Sequence, residues 1–343
     1  MRKLIVFMFV AMSAFAFNAN AEIGGKKVIF IHGNQPAAFD RDITQAEREA
    51  NARAQAGDIL GSVIDHYIFY ESAIRLGAQN NALRAQINTI TATGDCVQGC
   101  LIISYSTGDL FTRHILTRLN QWQIDTQRFR ILATFDMAGA GGGTELADLA
   151  ASIVANPFLQ LPADLIADIF FDADVDSVED IGIVNDLRPS IARSIGIVST
   201  SVPRLRVATA DGNILSSGLI SGNDDGVIPM HSSCGSSRAE SIDSCSRSIE
   251  ADGRLRSADG PRSFLSNHFP IIMAEDVSHT AFADNDRSGT LVAVNNNRSF
   301  NGVNINLNER SFSTGFWIFK RYFRTIDKPR SQSLAAYLVS EID

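Results

Sequence analysis

The chain has 343 residues, of which 45% are hydrophobic and 20% charged, and its formal charge is −8. This is a globular composition, long enough for one large domain with insertions. The acidic balance and the lack of a Lys/Arg-rich run argue against nucleic acid and anionic membrane surfaces as partners.

The first 21 residues are expected to be a signal peptide rather than part of the fold. Arg2 and Lys3 precede an apolar run from Leu4 to Phe17, and Ala19-Asn20-Ala21 makes a small-residue cleavage site. The run is too short for a membrane span. Cleavage near Ala21 would take the formal charge from −8 to −10 and deliver residues 22–343 to the periplasm or the exterior. Cys96, Cys100, Cys234 and Cys245 then sit in a compartment that permits disulfides. Three pairings are open, of which the local ones, Cys96–Cys100 and Cys234–Cys245, close short loops and are expected. A zinc site would need all four thiols to converge, against their spacing.

Lys27–His32 (KVIFIH) reads as a buried strand ending in His32-Gly33-Asn34. From Asp42 to about Leu76 the chain is helical in character, with Ile43, Ala46, Ala50 and Ala54 on one face and a strand at Tyr67–Tyr70. Asn81–Thr91 is an amphipathic helix that buries Leu83, Ile87 and Ile90. Leu101–Ile103 is a second buried strand. It runs into Ser104-Tyr105-Ser106-Thr107-Gly108 and then into a helix marked by Leu110, Phe111, Ile115, Leu116 and Leu119. A serine at such a strand–turn–helix tip is lifted from the sheet by a strained backbone, and the N-terminal N–H groups of the helix point at it. Ser106 is therefore the candidate nucleophile, although the turn by itself would equally suit a helix-capping serine.

Phe129–Phe135 is the next strand, followed by a glycine cluster at 139–143 that lacks the Lys-Ser/Thr of a phosphate loop and is expected to approach its neighbours closely. Residues 150–198 form an apolar, then acidic, insertion expected to be a helical cap or lid. Leu205–Ala210 is a strand leading to Asn223-Asp224-Asp225-Gly226-Val227. The segment from Cys234 to Asn267 is a polar excursion, and Phe269–Met273 is a strand before a loop with His279. A last helix is expected near Ser333–Leu338. Strands alternating with helices predict a mostly parallel α/β sheet.

Ester hydrolysis needs a nucleophile, a base, a group to orient the base, and oxyanion donors. Ser106, Asp225 and His279 supply the first three in the chain order Ser–Asp–His, each in a loop after a strand. The backbone N–H groups of Asn34 and Thr107 are the candidate donors. Asp224 and His268 remain rivals for the acid and the base. His32 is expected to support the oxyanion loop, and His66, His114 and His231 to be structural.

The segments IHGN, ISYSTGDL, MAGAGGGTELADL, NDDGVIP and EDVSHT resemble, in order, pieces of bacterial secreted lipases and esterases of the α/β-hydrolase superfamily. The resemblance implies an α/β-hydrolase fold, a central sheet flanked by helices with a cap. It also implies serine-dependent cleavage of lipid or other carboxylic esters by Ser106, Asp225 and His279, with no cofactor. Two residues depart from the family's serine elbow: Ser104 and Asp109 stand where glycines are usual, and Met137-Ala138-Gly139 replaces a Pro-His piece. Some relatives bind calcium near the histidine loop, and Asp284-Asn285-Asp286 resembles the start of such a site, but Asn295 stands where an EF-hand needs glutamate. The implied partner is a lipid or ester, with transient lipid contact through the cap and no membrane insertion. A related acyl hydrolase such as a polyester depolymerase, an acyltransferase, and a non-catalytic secreted binding protein on the same scaffold are the alternatives.

Overall fold

The computed structural model describes residues 23–39, 44–60, 63–155, 170, 181–195, 201–211, 219–220, 222–235, 255–256, 265–275, 277–283, 290–317, 320–329 and 331–343. The expected signal peptide, most of the expected cap, the Asp284–Gly289 loop and Cys245 lie outside these residues.

β1 (Lys27–Ile31) is followed by helix α1 (Gln45–Leu60), β2 (His66–Ile68), α2 (Asn80–Thr93), β3 (Cys100–Tyr105), α3 (Gly108–Arg118), β4 (Ile131–Met137), α4 (Glu145–Ala155) and β5 (Arg204–Ala210). After a two-residue strand β6 (Leu255–Arg256) come β7 (His268–Glu275) and β8 (Thr290–Ala293). Seven strands form one sheet in the order β2-β1-β3-β4-β5-β7-β8. All neighbours are parallel except β7 and β8, which run antiparallel. This is the mostly parallel sheet expected from the strand–helix alternation.

Because both faces of the sheet are covered, β1 and the first part of β3 are near-continuous apolar runs. Ile29, Ile31 and Ile102 join one core with Leu83, Ile87 and Ile90 of α2, Leu110, Phe111 and Ile115 of α3, and Leu146, Ala147 and Ala150 of α4. Val28, Phe30, Leu101 and Ile103 join the other, with Ala56 and Ile59 of α1 and Leu334 and Leu338 of the last helix, α5 (Leu334–Ser340). One expectation fails in α1. Ala46, Ala50 and Ala54 are exposed, and the buried stripe is Ala52, Ala56, Ile59 and Leu60. Alanine spacing barely distinguishes faces, and the isoleucine and leucine near the helix end decide which one packs.

Strand order reverses at β1, which has β2 on one side and β3 on the other. In open α/β sheets ligands gather beyond the carboxyl ends of the strands at such a switch point. Here that point holds the loop after β1 and the serine turn after β3. At the outer edge beside β2, the Gln86 carboxamide accepts from Phe69 N and donates to Phe69 O, both at 2.8 Å.

Beyond the main sheet, β9 (Arg298–Phe300) and β10 (Val303–Ile305) form one hairpin, and β11 (Glu309–Thr314) and β12 (Arg321–Ile326) another. β6 adds to β12, and β12 lies against β8. The Asp327 N–H donates to Asn308 O, and Asn308 N–H donates to the hydroxyl of Tyr337 in α5, which ties the base of the β11–β12 hairpin to the body. Cys96 and Cys100 are disulfide-bonded across the loop that enters β3. Cys234 is also disulfide-bonded, to a partner outside the described residues.

Candidate active site

Ser106 follows β3 and precedes α3, with φ at +52°, in the left-handed region that costs any side chain with a Cβ. The turn is held by its neighbours. Ser106 N–H donates to Met137 O at 3.0 Å, and Ala140 N–H donates to Ser106 O at 2.9 Å. Gly108 lets α3 pack against β1, since a Cβ there would stand 2.4 Å from Ile31 O and 2.6 Å from His32 O. These contacts aim the Ser106 side chain at the C-terminal edge of the sheet.

There His279 Nε2 lies 2.9 Å from Ser106 Oγ, and His279 Nδ1 lies 2.9 Å from Asp225 Oδ2. The structure thus brings the three residues into one hydrogen-bonded series, with all of them buried. Asp225 is fixed from several sides. Its Oδ1 accepts from Ile228 N–H at 2.7 Å and Val227 N–H at 3.2 Å, and its Oδ2 accepts from the Thr209 hydroxyl at 2.8 Å. Its carbonyl accepts from His279 N–H at 2.8 Å, so acid and base are also joined through the backbone. With Asp225 accepting at Nδ1, the proton of a neutral imidazole sits there, and Nε2 is free to accept from serine. Thr209 and the Tyr105 hydroxyl, which donates to His279 O, were not singled out in the sequence.

The rivals fall elsewhere. Asp224 accepts from Gly226 N–H at 2.9 Å within its own turn. His268 begins β7, pairs with Arg204 at the start of β5, and binds Ser266 O. His279 follows the opposite end of β7.

The loop after β1 packs directly on the serine, since a Cβ on Gly33 would meet Ser106 Cβ at 3.0 Å. Gly33 N–H is taken by Gln55 Oε1 at 2.7 Å, and Gln35 N–H by Ser72 Oγ at 3.0 Å. Between them, Asn34 N–H has no partner among the described residues, and neither does Thr107 N–H at the start of α3. His32 braces this loop. Its Nε2 accepts from Tyr70 N–H at 3.2 Å, which leaves Nδ1 to donate to Gly33 O at 2.7 Å, and its ring stacks on Tyr70 at 4.0 Å. Burial pushes its pKa down to about 4, so the ring is neutral.

The elbow's two unusual residues belong to a buried ionic cluster beneath the serine. The Ser104 hydroxyl donates to Asp136 Oδ1 at 2.6 Å. Asp109 binds Arg204 at 2.5 Å and Arg206 at 2.6 Å, and Asp136 binds the same two arginines at 2.8 and 3.1 Å. Asp109 Oδ2 also accepts from Gly141 N–H at 2.6 Å, and a Cβ on Gly141 would fall 2.4 Å from that oxygen. The glycine cluster therefore serves the close approach expected of it. Burial alone would raise the Asp109 carboxyl, but Arg206 and Arg204 outweigh it and hold it well below the usual carboxylate range. The remaining histidines have protein partners. His66 binds Asp95 and His114 binds Asn80, while His231 lies between Arg193 and Glu145. Among the described residues no group of three or more His, Cys, Asp or Glu side chains is arranged to hold a metal ion.

Parts of the expected cap reach this region. Asn34 Nδ2 donates to Phe170 O at 3.1 Å, and Phe170, Ile181, Ile183, Val184 and Leu187 pack in the core that holds α3.

No family model and no curated protein matches the chain. Among solved structures it is similar to the mature lipase BlEst2 of Bacillus licheniformis, at 14% identity over 75% of this chain and 86% of that one, with a TM-score of 0.43. It is also similar to lipase 1 of Pelosinus fermentans (12% identity, 75% and 93% covered, TM-score 0.39). EstA of Clostridium botulinum is a third (12% identity, 76% and 83% covered, TM-score 0.35). The chain's own strand order, its left-handed serine between β3 and α3, and loops that bring Ser106, Asp225 and His279 together give it the α/β-hydrolase fold.

Proposed function

We propose that the chain is an exported serine hydrolase that cleaves carboxylic esters, with lipid acyl esters as its substrate class. The observation that carries this reading is the hydrogen-bonded series Asp225–His279–Ser106, with the serine at φ +52°. His279 Nε2 takes the proton from Ser106 Oγ as the oxygen attacks the ester carbonyl, and Asp225 stabilises the imidazolium that forms. The negative charge that develops on the carbonyl oxygen is met by the N–H groups of Asn34 and Thr107. His279 then protonates the leaving alkoxide and an acyl-enzyme remains on Ser106. Water, deprotonated by His279, attacks that ester, and collapse of the second tetrahedral intermediate releases the carboxylic acid and restores the serine.

The apolar composition of residues 150–198 supports acyl chains as the group bound and contact of the cap with lipid. The leader-like first 21 residues and the Cys96–Cys100 disulfide support export, to the periplasm or beyond. The test is hydrolysis of p-nitrophenyl esters of increasing acyl length by the wild type and Ser106→Ala. The expected result is turnover by the wild type and a loss of at least about a thousandfold in the variant. If the wild type hydrolyses none and takes no label from a serine-reactive phosphonate, the reading fails.

A further inference from the structure

The overall charge of −8 argues against an anionic surface as a partner of the chain as a whole, yet one exposed element has the opposite local character. β11 and β12 pair from Glu309–Ile326 to Thr314–Arg321 and are connected in sequence by residues 315–320, a tip of which Gly315, Phe316, Trp317 and Lys320 are described. Its sequence is Gly-Phe-Trp-Ile-Phe-Lys. Phe316 is 85% exposed and Trp317 80%, whereas Ile74 and Val97, the other exposed large hydrophobics among the described residues, reach 38% and 43%. Two adjacent aromatic rings thus stand almost wholly in water at the apex of a hairpin whose base is tied to α5.

Folding does not account for these residues. Trp317 has φ +49°, a conformation that glycine or asparagine adopts at far lower cost than an aromatic residue, and its ring makes little contact with the protein. The charge around the tip is equally one-sided. Residues 315–324 contain Lys320, Arg321 and Arg324 and no acid, in a chain with formal charge −8, and Lys320 is exposed. An apolar apex with cationic shoulders is complementary to a lipid surface that carries anionic headgroups. There, aromatic rings settle at the boundary of headgroup and acyl chain, and Lys/Arg meet the phosphates. A second protein is a poorer fit. Two aromatic side chains offer roughly 400 Å², about half of what one partner contributes to a stable interface.

We infer that the β11–β12 tip is an interfacial anchor that seats the protein reversibly on an anionic lipid surface through Phe316 and Trp317, with Lys320 at the headgroups. This contact uses residues outside the 150–198 segment, and no described helix is long and apolar enough to cross a membrane. The inference rests on the ester-hydrolase reading only for its choice of lipid as partner.

The experiment is co-flotation of the full chain, in a Ser106→Ala background so that lipid is not consumed. It uses phosphatidylcholine vesicles with and without phosphatidylglycerol, at low and high salt. The expected result is binding that needs phosphatidylglycerol, weakens with salt, and falls at least about tenfold in Phe316→Ser/Trp317→Gly and several-fold in Lys320→Gln. The tip variants, made with Ser106 intact, should hydrolyse soluble p-nitrophenyl butyrate at the wild-type rate. Their thermal unfolding should be unchanged or raised, because Trp317→Gly relieves the backbone. Vesicle binding that is absent, or that survives in the aromatic variant, overturns the inference. So does a concentration-dependent dimer that the same variant abolishes, which would make the tip an interface between copies. Loss of ester hydrolysis by the wild type, with vesicle binding intact, would instead strike the catalytic reading and leave the anchor standing.

Discussion

The Tyr105 hydroxyl donates to the backbone carbonyl of His279 at 2.5 Å, joining the residue before the candidate nucleophile to the candidate base. The two rings lie 5.2 Å apart. Burial, and then the nearby Asp225 carboxylate, raise the phenol's pKa far above its ordinary value, so the hydroxyl remains a donor at any pH the protein tolerates. Tyr105→Phe removes this hold on the histidine loop and keeps the packing. A lost hydrogen bond of about 1 kcal/mol should lower kcat about five- to tenfold on a soluble ester, with KM little changed. An equal rise in KM would place the effect in substrate binding instead.

Asp225→Asn keeps the shape of the acid but sets an N–H donor or a neutral carbonyl against His279 Nδ1. The tautomer that accepts from Ser106 is then no longer favoured. Activity should fall by roughly three to four orders of magnitude while phosphonate labelling slows in parallel. Asp224→Asn, whose carboxylate serves its own turn, should leave activity within about threefold of wild type. Reversal of this order would return the role to Asp224.

The cluster of Asp109, Asp136, Arg204 and Arg206 is buried, and each arginine is shared by both carboxylates. Removing one carboxylate strands a guanidinium in the core. Asp109→Ala should cost about 3–5 kcal/mol in urea unfolding. Since folded-state depression of Asp109 stabilises the protein above the carboxyl's unfolded pKa, that contribution should fade as pH falls below about 4. A cost near zero at pH 7 would mean that the cluster does no more than fill space.

Burial lowers His32 to about 4 from 6.5. Between these values the unfolded chain binds a proton that the folded one does not, so stability rises with pH through that window and is lost as pH falls through it. The full difference is on the order of 3 kcal/mol. His114, lowered to about 3 by burial and by Arg118, acts in the same direction. Denaturant unfolding of wild type and His32→Gln from pH 4 to 7 should give a shallower slope in the variant. Equal slopes would assign the acid sensitivity to other groups.

Gly108→Ala places a methyl against two fixed carbonyls of the β1 end. The variant should lose at least about 2–3 kcal/mol or fail to fold, because neither carbonyl can retreat without breaking the sheet. Near wild-type stability would show that α3 can shift outward.

The central elements were legible in the sequence because each carried a local signal. Leu83, Ile87 and Ile90 mark the buried side of α2, and the apolar runs at Lys27 and Leu101 mark strands covered on both faces. Ser106, Asp225 and His279 each stood in a turn after such a run. Ser104 and Asp109 were legible only as departures from glycine. Their reason lies in Asp136, Arg204 and Arg206, on strands 27 to 102 residues away from them, and no local pattern links an acid in one strand to arginines in the next. The α1 face was misjudged because alanines fit either side. β8 and the late hairpins were missed because their strands are short, three to six residues each, so neither period has room to show.

The Gln86 side chain has a meaning for the molecule's life in solution. By occupying both the donor and the acceptor of Phe69, it takes the place that the next β-strand of another molecule would need first. An open sheet edge invites templated growth between copies; here a single carboxamide, delivered from a helix, stands in for the missing strand and keeps that invitation closed.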